Sequence, residues 1–321
     1  MNFQGLQKIE TPDFYLDVAI KRGKKHATEI RSSLSSKLTR MQKSKTIEIE
    51  KIRVIEKSIN SQYGKIIKSY PSFDELSEFY KQLLNLTLEI DLLKKSLASL
   101  NWATKQTSKL TNDYVKKIKS AKELILINKL VREFLGRISS VPKQIRNELK
   151  YLEQARITMK NYPSIKTGLK TVAIAGFPNV GKSTLLSKLT TSTPEINSYA
   201  FTTKKLNVGY MKKSYNKIQL IDTPGTLNRV EKMNSVEIQA YLAMRYVADS
   251  ILFIIDLTET YPIEKQKKLY DNVKKLHKPI HVYLSKQDIL EKEEIEEFIK
   301  ENKNYNFLNF EELKDFKFLK I

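Results

Sequence analysis

The octapeptide Gly176-Phe177-Pro178-Asn179-Val180-Gly181-Lys182-Ser183 decides the fold when read with its flanks, "TVAIA" (171–175) before and "STLLSKLT" (183–190) after. A β-branched apolar run, a loop of the form G-x-x-x-x-G-K-[ST] and an amphipathic helix follow one another without a gap. The chain has only nine glycines, and two of them lie five residues apart here. Glycines at these points let backbone N–H groups curl around a phosphate, and the helix N-terminus adds its dipole. Residue frequencies put a chance match on the order of one per cent, before the strand–loop–helix context is counted. Gly176 to Thr184 are therefore candidate phosphate ligands. Lys182 is placed against the β- and γ-phosphates, and Ser183 on Mg²⁺.

Downstream, strand and helix patterns alternate. "TVAIAG" (171–176), "KLNVGYM" (205–211), "KIQLID" (217–222), "SILFIID" (250–256), "PIHVYLS" (279–285) and "YNFLNF" (305–310) read as strands, mostly separated by helical segments. This is the layout of an α/β domain with a mostly parallel sheet flanked by helices. "QLIDTPG" ends its strand on Asp222, a Mg²⁺ carboxylate, followed by Thr223, Pro224 and Gly225, whose amide can meet a γ-phosphate and lose it on hydrolysis. "AFTTKK" offers Phe201, Thr202 and Thr203, the threonines placed to close over Mg²⁺. "VYLSKQD" supplies Ser285, Lys286 and Asp288, a variant of the Asn-Lys-x-Asp pattern. Asp288 can accept two hydrogen bonds from guanine N1 and N2, which adenine lacks, and the Lys286 stem can cover the ring. GTP and GDP are the expected ligands. The last base contact is expected near Asn309-Phe310, in a degenerate match, with little chain left for a final helix.

Before residue 171 the grammar is helical. No glycine lies between Gly64 and Gly136. "PSFDELSEFYKQLLNLTLEIDLLKKSLASL" (71–100) opens with a Ser72/Glu75 capping box and carries Leu76, Phe79, Leu83, Leu86, Ile90, Leu93, Leu97 and Leu100 at alternating steps of three and four. That predicts one long bundle helix. A second is expected over 107–139 and a third from about 142, with Pro142 in its first turn. "YPSIKTG" (162–168) reads as a linker. The domains are thus 1–165, basic and all-α, and 166–321, the nucleotide-binding half. Trp102 and the many tyrosines could stack on bases, but at helical spacing they read more readily as core.

The formal charge is +21, and it is uneven: residues 1–165 hold 32 Lys and Arg against 17 Asp and Glu, while 166–321 hold 25 against 19. Residues 20–70 alone carry 14 basic and 4 acidic side chains. Such a half either faces a polyanion or presents a solubilising surface. Nucleic acid fits better than anionic lipid, since no strongly apolar amphipathic anchor accompanies the charge. No window is apolar enough to span a membrane, and there is no lipidation signal. Cysteine is absent, which suits a reducing compartment. His26, His277 and His281 are spaced unlike metal ligands.

The strings "GFPNVGKST", "YAFTTKKLNVGY" and "IDTPGTL" resemble the Obg-like group of translation-factor GTPases. Within it, "YLEQARITMKNYPSI", "SFDELSEFYKQLLN" and "AFTTKKLNVGYM" resemble the nucleolar GTP-binding protein family, over about residues 8–290. The resemblance implies a GTPase acting in large-subunit maturation, with both halves on rRNA and among pre-ribosomal proteins, and not on DNA. It implies a monomer of the short archaeal kind with a cytoplasmic address. Thr203 then matches the Mg²⁺ ligand, and Ser285 departs from the pattern.

Catalysis lacks one usual part. The position after Gly225, where Ras-like enzymes carry a water-orienting glutamine, is Thr226, followed by Leu227. Slow intrinsic hydrolysis is expected. Asn179 either helps hold a K⁺ between the phosphates, neutralising developing charge, or caps the loop with its side chain. Lys182, Asn179, Thr203 and Gly225 are the candidate catalytic residues. Arg229 and Arg245 read as internal arginine fingers or as helix-face residues. Two functions remain open: a GTPase switch docked on rRNA, or an assembly placeholder that binds GTP without switching.

Overall fold

The computed structural model describes residues 3–190, 206–213, 216–224, 235–258 and 261–315. Phe201, Thr202, Thr203, Gly225, Thr226, Leu227 and Arg229 lie outside the described residues. Two compact units emerge: an α/β unit of residues 76–86 and 161–321 (with residues 1–2), and a helical unit of 3–75 and 87–160.

The helical unit begins with α1 (Pro12–Ser33), with proline in its first turn and Thr11 Oγ1 accepting from the Phe14 amide. A Thr39–Gln42 capping box then opens α2 (Arg40–Ser69). α2 is the central helix: Ile52, Ile55, Ile59 and Tyr63 are fully buried at its three-and-four spacing. It packs against α1, α4 (Ile90–Ser120) and α5 (Leu124–Gln144), and α6 (Arg146–Lys160) packs on α4.

The helix expected over 71–100 is two elements. Residues 72–77 are non-helical, so Ser72 and Glu75 do not cap a helix, and α3 spans Glu78–Thr87. The chain breaks before α4, where Tyr151 Oη binds both the amide and the carbonyl of Glu89. The cause is tertiary: α3 is built into the α/β unit and α4 into the helical unit, leaving Leu86, a member of the expected stripe, 52% exposed. The helix expected over 107–139 also divides, with Ala121 and Glu123 extended between α4 and α5. Pro142 lies in the last turn of α5, not the first of α6. Trp102 is exposed rather than core.

The linker reading of 162–168 is corrected too. Tyr162 and Ile165 are buried, and the fully buried Tyr80 of α3 holds this stretch by its hydroxyl. That hydroxyl lies 2.8 Å from Pro163 O and 3.2 Å from Ile165 O, and accepts from the Ile165 amide at 3.0 Å. Next in line, Gln219 Oε1 accepts from the Lys166 amide at 2.9 Å.

The sheet of the α/β unit is ordered β2-β3-β1-β4-β5, from β1 (Thr171–Ala175), β2 (Asn207–Lys213), β3 (Asn216–Asp222), β4 (Ser250–Asp256) and β5 (Ile280–Ser285). All pairings are parallel except edge strand β2 against β3. The expected sixth strand is reduced to a single bridge, Val282 to Phe307. Alternation sends Val172 and Ile174 into one core with α7 (Lys182–Leu189) and Leu313 of α11 (Phe310–Asp315). Ala173 and Ala175 enter the other, formed with α8 (Ser235–Tyr246), α9 (Ile263–Lys274) and Phe298 of α10 (Lys292–Glu301). Strands covered on both faces read as continuous apolar runs, which is why β1 and β4 are buried throughout.

Candidate nucleotide site

Parallel strands end on one edge, and the register shows which residues share it. Ile174 pairs with Asp222, Ala175 with Phe253, and Asp256 with Ser285. The loop after β1, Asp222 after β3, Asp256 after β4 and Ser285-Lys286 after β5 therefore surround one crevice at the carboxyl ends of the strands, where open α/β sheets bind ligands.

The loop needs its glycines. At Gly176 φ is +148°, and an added Cβ would meet Ile254 O of β4 at 2.7 Å. Gly181 has φ +89° at the threshold of α7, and Asn179 has φ +62°, which asparagine tolerates better than most residues. The Asn179 side chain is exposed and makes no hydrogen bond among the described residues. It does not cap the loop. Lys182, only 7% exposed, donates from Nζ to Phe177 O at 2.5 Å, and burial pulls its pKa down to about 8 against the pull of Asp222. Val180 is buried beneath the loop, while Phe177 and Pro178 are half-buried.

Ser183 Oγ donates to Asp222 Oδ2 at 2.6 Å, and Asn207 Nδ2 donates to the same oxygen at 3.3 Å. Asp222 Oδ1 is buried without a hydrogen-bond partner among the described residues. Burial pushes the Asp222 carboxyl up, opposed by Ser183, the Lys182 charge and Asn207. A buried carboxylate oxygen left unsatisfied beside a serine hydroxyl fits a divalent cation, so Mg²⁺ suits these residues. Thr223 is anchored by its amide and hydroxyl on Ile174 O at 3.0 and 2.8 Å, and Pro224 is half-buried behind it.

On the base side, Ser285 Oγ donates to Ile255 O at 3.3 Å. Lys286 adopts φ +53°, and its Nζ lies 2.6 Å from Asp256 Oδ2. Asp256 Oδ1 accepts from the Thr258 amide at 2.9 Å and its hydroxyl at 2.7 Å. Burial raises the Asp256 carboxyl, but Lys286 and Thr258 together hold it below the usual range. Asp288 is exposed in a short 3₁₀ turn, Gln287–Ile289. Asn309 opens α11 through a reciprocal cap with Glu312, two bonds of 2.8 Å, so a final helix does form at the place expected for a base contact. Arg245 is exposed and bonded to Tyr241 Oη at 3.1 Å, a helix-face role.

Asp256, Thr258 and Asn207 escaped the sequence reading. "FIID" signals a strand end but not a lysine tether, and Asn207 comes beside Asp222 only through the antiparallel β2–β3 register, which pairs the two.

Loop, carboxylate and lysine in this order on this sheet define a P-loop GTPase domain, and residues 171–286 match the family described as 50S ribosome-binding GTPase. Residues 3–166 match the NOG1 N-terminal helical domain. The chain belongs to the nucleolar GTP-binding protein family. It is 41% identical to an uncharacterized protein of Methanocaldococcus jannaschii over 91% of this chain and 83% of that protein. It is 32% identical to nucleolar GTP-binding protein 1 of Saccharomyces cerevisiae over 92% of this chain but only 46% of that protein. The chain thus spans about half the length of its named eukaryotic relatives. Among solved structures, Era of Aquifex aeolicus bound to GDP·AlF4⁻ aligns at 30% identity and TM-score 0.35, over 44% of this chain and 50% of that one.

Proposed function

We propose that this protein is a GTP-hydrolysing switch in assembly of the large ribosomal subunit, docking on rRNA and pre-ribosomal proteins through its basic helical unit. The observation carrying this reading is the crevice itself. It sets a phosphate-loop lysine, a Ser183–Asp222 pair with one unsatisfied oxygen, and a tethered Lys286 next to Asp288 on one sheet edge. The backbone of residues 176–184 and Lys182 hold the phosphates, Ser183, Asp222 and Thr203 hold Mg²⁺, and Lys286 and Asp288 hold guanine. Mg²⁺, when bound, neutralises charge between the phosphates. Gly225, Phe201 and Thr202 complete the switch segments. The relative from an archaeon, a cell without a nucleolus, supports a cytoplasmic address.

Asn179, exposed and uncommitted, supports the cation reading: its amide oxygen is available to a K⁺ beside the phosphates. Hydrolysis is slow without that ion or a ribosomal trigger. Single-turnover hydrolysis is expected to run faster in KCl than in NaCl, and equal rates would sink the cation reading. The switch reading is tested with Lys182→Ala, which removes the phosphate contact. Normal subunit maturation in cells carrying only that variant would favour a placeholder that binds rRNA without switching.

A further inference from the structure

The helical unit is electrically lopsided. α1 ends and α2 begins at the turn of residues 34–39, while α4 ends and α5 begins at 121–123. These two turns lie at the same end of the unit, because Lys45 Nζ donates to Lys119 O at 2.7 Å, and further along Asn60 Nδ2 donates to Ser108 Oγ at 2.9 Å. Residues 31–45 and 116–122, which build this end, hold nine Lys and Arg and no Asp or Glu. None of the nine makes an ion pair among the described residues. At the far end, acids are present and three cations are paired: Lys8 with Glu10 at 2.7 Å, Lys94 with Asp74 at 3.6 Å and Lys143 with Asp13 at 3.9 Å.

Stability does not account for this arrangement. Arg31 at the C-terminal end of α1 and Lys117 and Lys119 at that of α4 suit the helix dipole, and Lys45 caps α4 on Lys119 O, but Arg40 and Lys43 crowd the start of α2, whose first turn has no acid. Like charges are thus concentrated, unpaired, where the fold gains least from them. Lys37, Arg40, Lys116 and Lys122 are also exposed.

We infer that this end of the helical unit, the two turns 34–39 and 121–123 with their flanking helix ends, is the surface that grips the phosphate backbone of RNA. The inference rests on the RNA-binding reading above and adds where the contact is made. Each lysine or arginine that neutralises a phosphate releases a counterion, so a cap of this kind gives steeply salt-dependent binding. Apolar Ile125, 79% exposed, stands at the same end and offers a protein partner a different handle.

The test uses the full chain and a fluorescein-labelled RNA stem–loop of mixed sequence, titrated from 50 to 200 mM KCl. A cap variant carries Lys37→Gln, Arg40→Gln, Lys116→Gln and Lys122→Gln. A mid-helix control carries Lys57→Gln, Lys65→Gln, Arg132→Gln and Arg137→Gln, also exposed. Circular dichroism verifies that both fold. The expected result is that the cap variant loses affinity ~300-fold at the lowest salt and only ~5-fold at the highest, its log–log salt slope flattening by about three, with the control little changed. Equal losses in both variants, or none in the cap variant, overturn the assignment. If pre-ribosomal association survives the cap variant but fails in Ile125→Ser, the partner is protein and the assignment also falls. If the wild-type chain binds no RNA, the RNA-binding reading itself fails.

Discussion

Replacing Asp256 by asparagine isolates the tether that holds the base-side lysine. Asn has the same shape and keeps an oxygen for the Thr258 amide and hydroxyl, now 2.9 and 2.7 Å from Oδ1. What it removes is the 2.6 Å ion pair to Lys286. Removing one partner of a fully buried pair costs about 3–5 kcal/mol. Lys286 is a third exposed and can turn to solvent, so the loss here is smaller, about 2 kcal/mol. For a unit of this size that corresponds to a fall in Tm of about 4–8 °C. Loss of the fixed stem is expected to weaken binding of a fluorescent GDP analogue ~10-fold, equivalent to about 1.4 kcal/mol. The pH dependence has a definite sign. Asp256 has a lowered carboxyl in the folded protein, so its stabilisation is complete above the ordinary aspartate pKa and is lost as pH falls through the lowered value. The wild-type advantage in Tm over Asp256→Asn therefore shrinks on acidification. A Tm within ~1 °C of wild type at pH 7, with unchanged GDP affinity, would refute the tether.

Three other outcomes follow from the geometry. Tyr80→Phe deletes the hydroxyl shared by Pro163, Ile165 and α3, and is expected to cost about 1–2 kcal/mol in thermal unfolding while leaving GDP affinity intact. Gly176→Ala drives a Cβ to 2.7 Å from a strand carbonyl, so nucleotide binding by calorimetry should be lost even if the chain folds. Lys182 has a folded pKa of about 8, below its unfolded value, so nucleotide-free protein should gain stability as pH rises from about 8 towards 10.4, reversing the usual alkaline trend. Bound phosphate restores the charge. GDP binding at pH 8.5 should then take up protons, measured as a dependence of calorimetric heat on buffer ionisation enthalpy.

The α/β unit was legible because its signals are local. A glycine pair with fixed φ requirements, "QLID" and "SILFIID" as doubly covered strands, and Lys-x-Asp at a strand end each announce themselves within a few residues. The helical half was legible in kind but not in its breaks. Nothing in "NLTLEID" or "SAKEL" is a glycine or proline, so the breaks before α4 and α5 have no local mark. They exist because α3 belongs to one unit and α4 to the other, and because α4 must hand the chain to a returning α5. Pro142 misled for the opposite reason: proline marks helix starts strongly, yet the last turn of α5 accommodates it. The tether of Lys286 depended on a register that brings Asp256 beside Ser285, information that no single segment contains.

The two lysines of the site are held in opposite ways, and the difference has consequences for how it would work. Lys182 is satisfied by a neutral carbonyl, Phe177 O, at a burial that depresses its pKa. A phosphate oxygen is a better partner than a carbonyl for a buried cation, so the arriving nucleotide displaces an inferior contact and relieves desolvation at once. Lys286 is satisfied by a buried carboxylate that a neutral base cannot outbid. The base-side lysine therefore stays where Asp256 puts it, whatever the nucleotide. The phosphate side responds to charge. Under the proposed reading, discrimination between GTP and GDP would arise at Lys182, Ser183, Asp222 and the segments that follow them, while the tethered Lys286 would fix only how the base enters.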